Sequence, residues 1–367
     1  MKRTLINIAI LSTILGTGMA QAGGWDRSGQ DTSIILKEGN LLEVTSASVN
    51  PNVTGIYSAP APVAGVATGE AVPNYSFTTF GFRTDISDNM SLAIIQDTPF
   101  GAEVSWTDGG YDGVKAKVNS SATTLLMSYD LDNVTVYGGL KNQSFDASAT
   151  VLPTVMAYSI TSTPDTSLGY VLGAAIEKPE IAMRVALTYH SAVKHDVAVV
   201  ETSPYGANKA STLSAKTPSS FNLDFQTGIA ANTLLFGTIR SVKWTQTLLR
   251  PTEYAKYAGS PSLKEFTQDT VSYSLGLGRK LSDHWSGAVT YGTESAEGVA
   301  GGPLGPTDGY SKMGLGVTYT GEQATITLGM QKVNLGDTSA EAAGGAYKAA
   351  MSSNTALVSA VKVGYKF

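Results

Sequence analysis

Large apolar residues recur at every second position along much of the chain. In 181–189 the odd positions are Ile181, Met183, Val185, Leu187 and Tyr189, against Ala182, Arg184, Ala186 and Thr188. In 271–280 they are Val271, Tyr273, Leu275 and Leu277, against Ser272, Ser274, Gly276 and Gly278. Met313, Leu315, Val317 and Tyr319 repeat the pattern, and so do Leu357, Val361, Val363, Tyr365 and Phe367. Period-2 alternation of this kind predicts β-strands with one large apolar face and one small or polar face. Fourteen windows carry it: 40–48, 74–84, 90–98, 121–130, 133–145, 166–177, 181–192, 219–229, 232–248, 268–281, 284–294, 310–320, 323–333 and 355–367. A soluble sandwich would alternate in the same way, so the connections must decide. Tight links at 85–89, 130–133, 178–180, 230–231, 282–283 and 321–322 interleave with long polar stretches near 49–73, 99–120, 146–165, 193–218, 249–267, 295–309 and 334–354. Short–long alternation over an even number of strands predicts an all-β, 14-stranded antiparallel transmembrane β-barrel of the outer membrane, with short periplasmic turns and long outward loops.

Composition narrows the function classes. The chain has 367 residues, 15% charged, with 39 glycines and no cysteine. Absence of cysteine excludes a disulfide scaffold, thiolate metal ligation and thiol catalysis. With 25 basic against 30 acidic residues and no basic run, a nucleic-acid partner lacks its electrostatic footprint. Lys2 and Arg3 precede an apolar stretch from Leu5 to Leu15, followed by Ala20-Gln21-Ala22. That is the layout of a secretory signal peptide over 1–22, cleaved near Ala22. Loss of Lys2 and Arg3 takes the formal net charge from −5 to −7. Tyr129, Tyr137, Tyr170, Tyr189, Tyr319 and Tyr365 fall near strand ends, where aromatic girdles would lie, although β-propensity alone also enriches tyrosine.

Enzymatic chemistry finds little support. His190 and His195 are five apart, on opposite faces if one strand carries both, which predicts no metal site. His284 and Ser286 share a face beside the tight turn Ser282-Asp283, at the periplasmic rim, without a third orienting group. There is no G-x-S-x-G, Walker loop or dinucleotide fingerprint. No cofactor is expected.

Several further stretches stand out: Gly23-Gly24-Trp25-Asp26-Arg27-Ser28-Gly29-Gln30; the run 72–106 with Val72-Pro73-Asn74, Asp85-Ile86-Ser87-Asp88-Asn89 and Phe100-Gly101-Ala102; Arg184 to Lys194; Thr217-Pro218-Ser219-Ser220-Phe221 with Val242-Lys243-Trp244-Thr245; and Leu275-Gly276-Leu277-Gly278 to Trp285. Together they resemble the outer-membrane family of long-chain fatty acid and aromatic hydrocarbon transporters. The resemblance implies a barrel over 38–367 and a short N-terminal hatch (plug) over 23–37, with Trp25, Asp26 and Arg27 in it. It implies passive uptake of hydrophobic compounds, most of all long-chain fatty acids. These would be captured by outward loops, passed to the lumen and released laterally at a kink in the third strand. The Asn-Pro-Ala of the family's hatch is absent, and Asn50-Pro51-Asn52 sits later.

Pro99, Phe100 and Gly101 supply a reason for that kink, since proline lacks a ladder donor and glycine marks bulges; the same residues could simply begin a loop. Lys141, Arg184, His190 and Lys243 are the basic residues available to a lumenal carboxylate, or are ordinary solvated lining. In 151–160, Val155, Met156, Tyr158 and Ile160 are greasier than a solvated loop needs. They form either a capture groove or a lid. The expected partners are a hydrophobic small molecule, outer-membrane lipid and, through the C-terminal Phe367, the barrel assembly machinery. A general diffusion porin or an adhesin-like barrel is the competing reading.

Overall fold

Each of the fourteen windows falls on one barrel strand. A computed structural model describes residues 24–60, 62–151, 157–257, 262–298, 300–341 and 347–367, so the signal segment, and with it cleavage near Ala22, lies outside the described residues. The barrel strands are β1 Leu41–Asn52, β2 Tyr75–Ser87, β3 Met90–Asp97, β4 Lys115–Leu131, β5 Val134–Val151, β6 Asp165–Lys178 and β7 Met183–His190. They continue as β8 Ser220–Ala230, β9 Thr233–Val242, β10 Thr270–Lys280, β11 Trp285–Glu294, β12 Tyr310–Thr320, β13 Ala324–Leu335 and β14 Thr355–Lys366. Every neighbour is antiparallel, and β1 pairs with β14 from Leu41↔Lys366 to Asn52↔Thr355, which closes the sheet. Closure removes the unpaired edges that a bilayer cannot satisfy.

The alternation sets the two faces. Leu315 and Met313 of β12 are 66% and 68% exposed on the outward side, while Thr318 and Lys312 are buried inside. The outward face therefore offers lipid a continuous apolar surface, and the inward face is small or polar. Tyr170, Tyr189 and Phe221 form an outward aromatic row near the outer end, with ring centroids 5.9 and 4.9 Å apart. Tyr137 departs from the expected girdle: the phase of β5 turns it inward, where its hydroxyl lies 2.6 Å from Thr188 Oγ1.

The outer end differs most from the sequence expectation. The stretch 193–218 is no polar loop but a hairpin of Val193–Ser203 and Gly206–Thr217. Its alternation is as regular as that of a barrel strand, with Val193, His195, Val197 and Val199 buried and Lys194, Asp196, Ala198 and Val200 exposed. His190 and His195 are both buried, correcting the expectation of opposite faces. The reason is the break at Ser191-Ala192, between β7 and the hairpin, which shifts the burial phase from even to odd residues. β4 and β5 also run longer than expected, staying paired out to Lys115↔Thr150, and Tyr158–Ser162 bridges β5 to the hairpin. The window 232–248 ends early, at Val242, because Trp244–Gln246 winds into a 3-10 turn.

Two apolar clusters fill the interior. The larger, in the outer half, includes Trp25, Phe100, Trp106, Tyr111, Trp244 and Phe266. The smaller surrounds Ile34 and Ile35 with Ile95, Leu126 and Val171.

Candidate functional site

The site is built where the N-terminal segment meets the break in β3. The β2–β3 ladder stops at Phe80↔Gln96. After Thr98-Pro99-Phe100 the chain resumes as a short strand, Gly101–Ser105, paired with β4 alone. Proline cannot donate to a ladder, and here the N-terminal segment supplies the missing partner. Arg27 N donates to Pro99 O at 3.0 Å, Ser28 N to Thr98 O at 3.1 Å, and Gly101 N to Trp25 O at 2.7 Å. The Arg27 side chain donates from Nε to Gly101 O at 2.7 Å and lays its guanidinium 3.4 Å over the Tyr75 ring. A Cβ at Gly101 would lie 3.0 Å from Arg27 Nε, so any larger residue would press the arginine by a few tenths of an ångström. Phe100 is fully buried.

The same segment is tied to the opposite wall. Arg240 of β9 grips the Asp26 carboxylate through Nε and Nη2, and donates to Asn222 Oδ1 at 2.7 Å and Gln30 Oε1 at 3.1 Å. Asn222 Nδ2 donates to Gly29 O at 2.9 Å, and Ser220 Oγ donates to Gln30 Oε1 at 2.8 Å. At the short-turn end of the barrel, Arg184 Nη1 donates to Leu36 O at 3.1 Å and pairs with Glu177.

Outward of Trp25 lies a cavity of about 510 Å³, within the usual size of small-molecule sites. Its floor is aromatic. Trp25 packs edge-on to Phe266, centroids 5.2 Å apart, and Trp244 lies 5.0 Å from Phe266 and 5.6 Å from Phe100. Leu263 and Leu304 continue into an apolar side recess shared with Val104, Ala149 and Ile160. Lys264 enters the cavity with its ammonium 4.5 Å from the Phe266 ring centroid, and burial draws its pKa below the ordinary lysine value against the pull of Glu297. Burial raises the Glu297 carboxyl, helped by Asp308 and opposed by Lys264.

The expected residues scatter over these features. Pro99, Phe100, Gly101, Trp25, Asp26 and Arg27 come together at the break. Lys141 and His190 are buried in the lumen, with Lys141 Nζ 3.4 Å from Ser191 O. Arg184 holds the far end of the N-terminal segment rather than facing the cavity. Lys243 lies just beyond β9, its side chain 44% exposed and its ammonium 2.9 Å from Asp269, while its neighbour Trp244 points inside. Ile160 lines the recess. Tyr158 is buried edge-on against Tyr254 and donates to Glu201 Oε2 at 2.9 Å. Val155 and Met156 lie outside the described residues. Sequence reasoning missed Arg240, Lys264, Phe266 and Glu297. For Phe266 the signal was present, a lone phenylalanine in a polar connection.

No protein-family model and no curated protein matches the sequence. Among solved structures, the chain is similar to a FadL homologue of Pseudomonas aeruginosa at 14% identity, over 97% of this chain and 98% of that one, with a TM-score of 0.75. It is also similar to the toluene transporter TodX of P. putida, at 11% identity over 90% and 91% with a TM-score of 0.64. The Ralstonia pickettii toluene transporter TbuX matches at 10% identity over 97% of each chain, with a TM-score of 0.63. At these identities the likeness is one of fold.

Proposed function

We propose that this barrel sits in the bacterial outer membrane and takes up hydrophobic small molecules passively, with long-chain fatty acids and aromatic hydrocarbons as the two candidate classes. The observation that carries the reading is the aromatic-floored cavity placed directly outside the β3 break, with residues 24–37 bonded across the lumen beneath it. In this reading those residues are the plug, a hydrophobic solute collects against Phe266 and Trp25, and it leaves sideways past Pro99 and Gly101 into the membrane when Arg27 lets go. Burial at about 25 cal/mol per Å² supplies several kcal/mol for such a solute without nucleotide or metal. No chemistry on the solute is assigned to any residue, and Phe367 at the C-terminus is the assembly signal. The fold shared with a FadL homologue and two toluene transporters supports the reading.

The test is transfer across liposomes carrying the mature chain. Oleate and hexylbenzene should cross faster than in protein-free vesicles, and maltose should not. Maltose permeation matching that of the apolar solutes would overturn the reading in favour of a diffusion porin.

A further inference from the structure

The outer cavity is poorly suited to an anion. Its charged lining is one ammonium, Lys264, against four carboxylates, Glu265, Glu297, Asp308 and Glu341. Glu341 is neutralised by Lys348, which leaves two negative charges in excess. The undescribed positions beyond residue 24 do not alter this balance, because none carries a charged residue. Two of the carboxylates are also engaged: Asp308 accepts from Glu297 N at 2.7 Å and Gly298 N at 2.8 Å, and Glu265 accepts from Ser262 Oγ at 3.0 Å.

Glu297 is different. Its Oε1 is buried and has no hydrogen-bond partner among the described residues. A buried acceptor left unmet costs free energy, and a ligand that donates to it recovers that cost. Lys264 offers a carboxylate little in return. Its ammonium is spread between the Phe266 ring and the field of Glu297, so an arriving anion must compete with both.

We propose that this cavity selects neutral hydrophobes bearing a hydroxyl, of the alkylphenol type, over carboxylates of the same skeleton, with the Glu297 side chain turning Oε1 towards the cavity to accept the ligand O–H. The ring then lies on Phe266 and Trp25, and an alkyl tail enters the recess of Leu263, Leu304 and Val104. The inference rests on the uptake reading above and names the substrate class for it.

The experiment uses the mature chain in nanodiscs at pH 8, where a phenol with an ordinary value near 10 stays neutral and a benzoate is ionised. Hexylbenzene, 4-hexylphenol and 4-hexylbenzoate compete against a fluorescent apolar probe, each corrected for partition into empty nanodiscs. The phenol should displace the probe at about fivefold lower concentration than hexylbenzene and at least tenfold lower than the benzoate. Glu297→Leu should bring the phenol to the level of hexylbenzene. Glu297→Gln keeps an acceptor oxygen and removes the charge, so it should retain the phenol preference and improve benzoate binding. A benzoate bound as tightly as the phenol, or a phenol advantage that survives Glu297→Leu, overturns the inference. Hexylbenzene binding without any phenol preference leaves the uptake reading standing and ends this one, whereas failure of all three ligands ends the uptake reading itself.

Discussion

Asp26 and Arg240, 214 residues apart, meet in a two-point ion pair, Nε to Oδ2 at 2.6 Å and Nη2 to Oδ1 at 2.9 Å. The pair is largely screened from water, with side-chain exposures of 17% and 5%. Breaking a buried pair by removing one partner costs about 3–5 kcal/mol, because the other charge is stranded. The fourteen-strand wall does not depend on this bond, so the loss falls on the N-terminal segment. Asp26→Asn should raise single-channel conductance in planar bilayers while the melting of the barrel stays unchanged. The double variant Asp26→Asn/Arg240→Met should cost less than the two singles together. Conductance equal to wild type in all three would mean the segment is held elsewhere.

Arg27 closes the other side. Its guanidinium covers Tyr75, a contact worth about 0.5–2 kcal/mol depending on desolvation, and Nε holds the Gly101 carbonyl. Arg27→Ala should therefore speed transfer of hexylbenzene several-fold and leave maltose permeation at background. A rise in both would point to a displaced segment instead of an opened side wall.

Phe266 joins Trp25 of the cavity floor to Trp244 packed behind it. Aromatic contacts of this kind contribute about 0.5–1.5 kcal/mol beyond area burial, and roughly 1.4 kcal/mol is tenfold in affinity. Phe266→Ala should weaken binding of hexylbenzene about tenfold or more, read by probe displacement. Phe367→Ala, on the outward face at the short-turn end where it stacks on Phe82, should leave that binding unaltered in whatever barrel assembles.

The residues on either side of Trp244 are held by Asp269, which accepts from Lys243 Nζ at 2.9 Å, Thr245 N at 3.1 Å and Thr245 Oγ1 at 2.8 Å. Burial pushes this carboxyl up, but the hydrogen bonds from Lys243 and Thr245 outweigh it and hold the group below its ordinary value. A depressed carboxyl stabilises the fold above its unfolded value, near 3.9, and that stability is lost as pH falls through the lower folded value. The near-UV signal of the tryptophans should thus be flat from about pH 5 to 8 and change below about pH 4. Asp269→Asn should remove most of that acid transition.

The barrel was readable because its signal is repeated. Each strand gives only a weak period-2 pattern, yet fourteen of them with alternating turn lengths leave one architecture. The outer hairpin of Val193–Ser203 and Gly206–Thr217 was missed for a local reason: Pro218 and the serines around it read as loop, while the alternation from Val193 to Val199 was just as regular as that of β7. The cavity was less legible still. Lys264 and Glu297 lie in separate segments and come to line one cavity only when the sheet closes, and the same closure brings Arg240 to Asp26 beneath it. Lys243 illustrates the converse, since the 3-10 turn that buries Trp244 leaves the lysine at the rim beside Asp269.

The length of β5 has a consequence for where solute is gathered. Eighteen residues at about 3.3 Å each, tilted by about 40°, rise roughly 45 Å, against an apolar band of about 25 Å. In the proposed uptake reading, a wall of this height standing on the loop side carries the cavity mouth roughly 20 Å clear of the bilayer, like a chimney. The cavity then samples the water film above, and its catch follows the free aqueous concentration of a solute and not how much of it the surrounding lipid has stored.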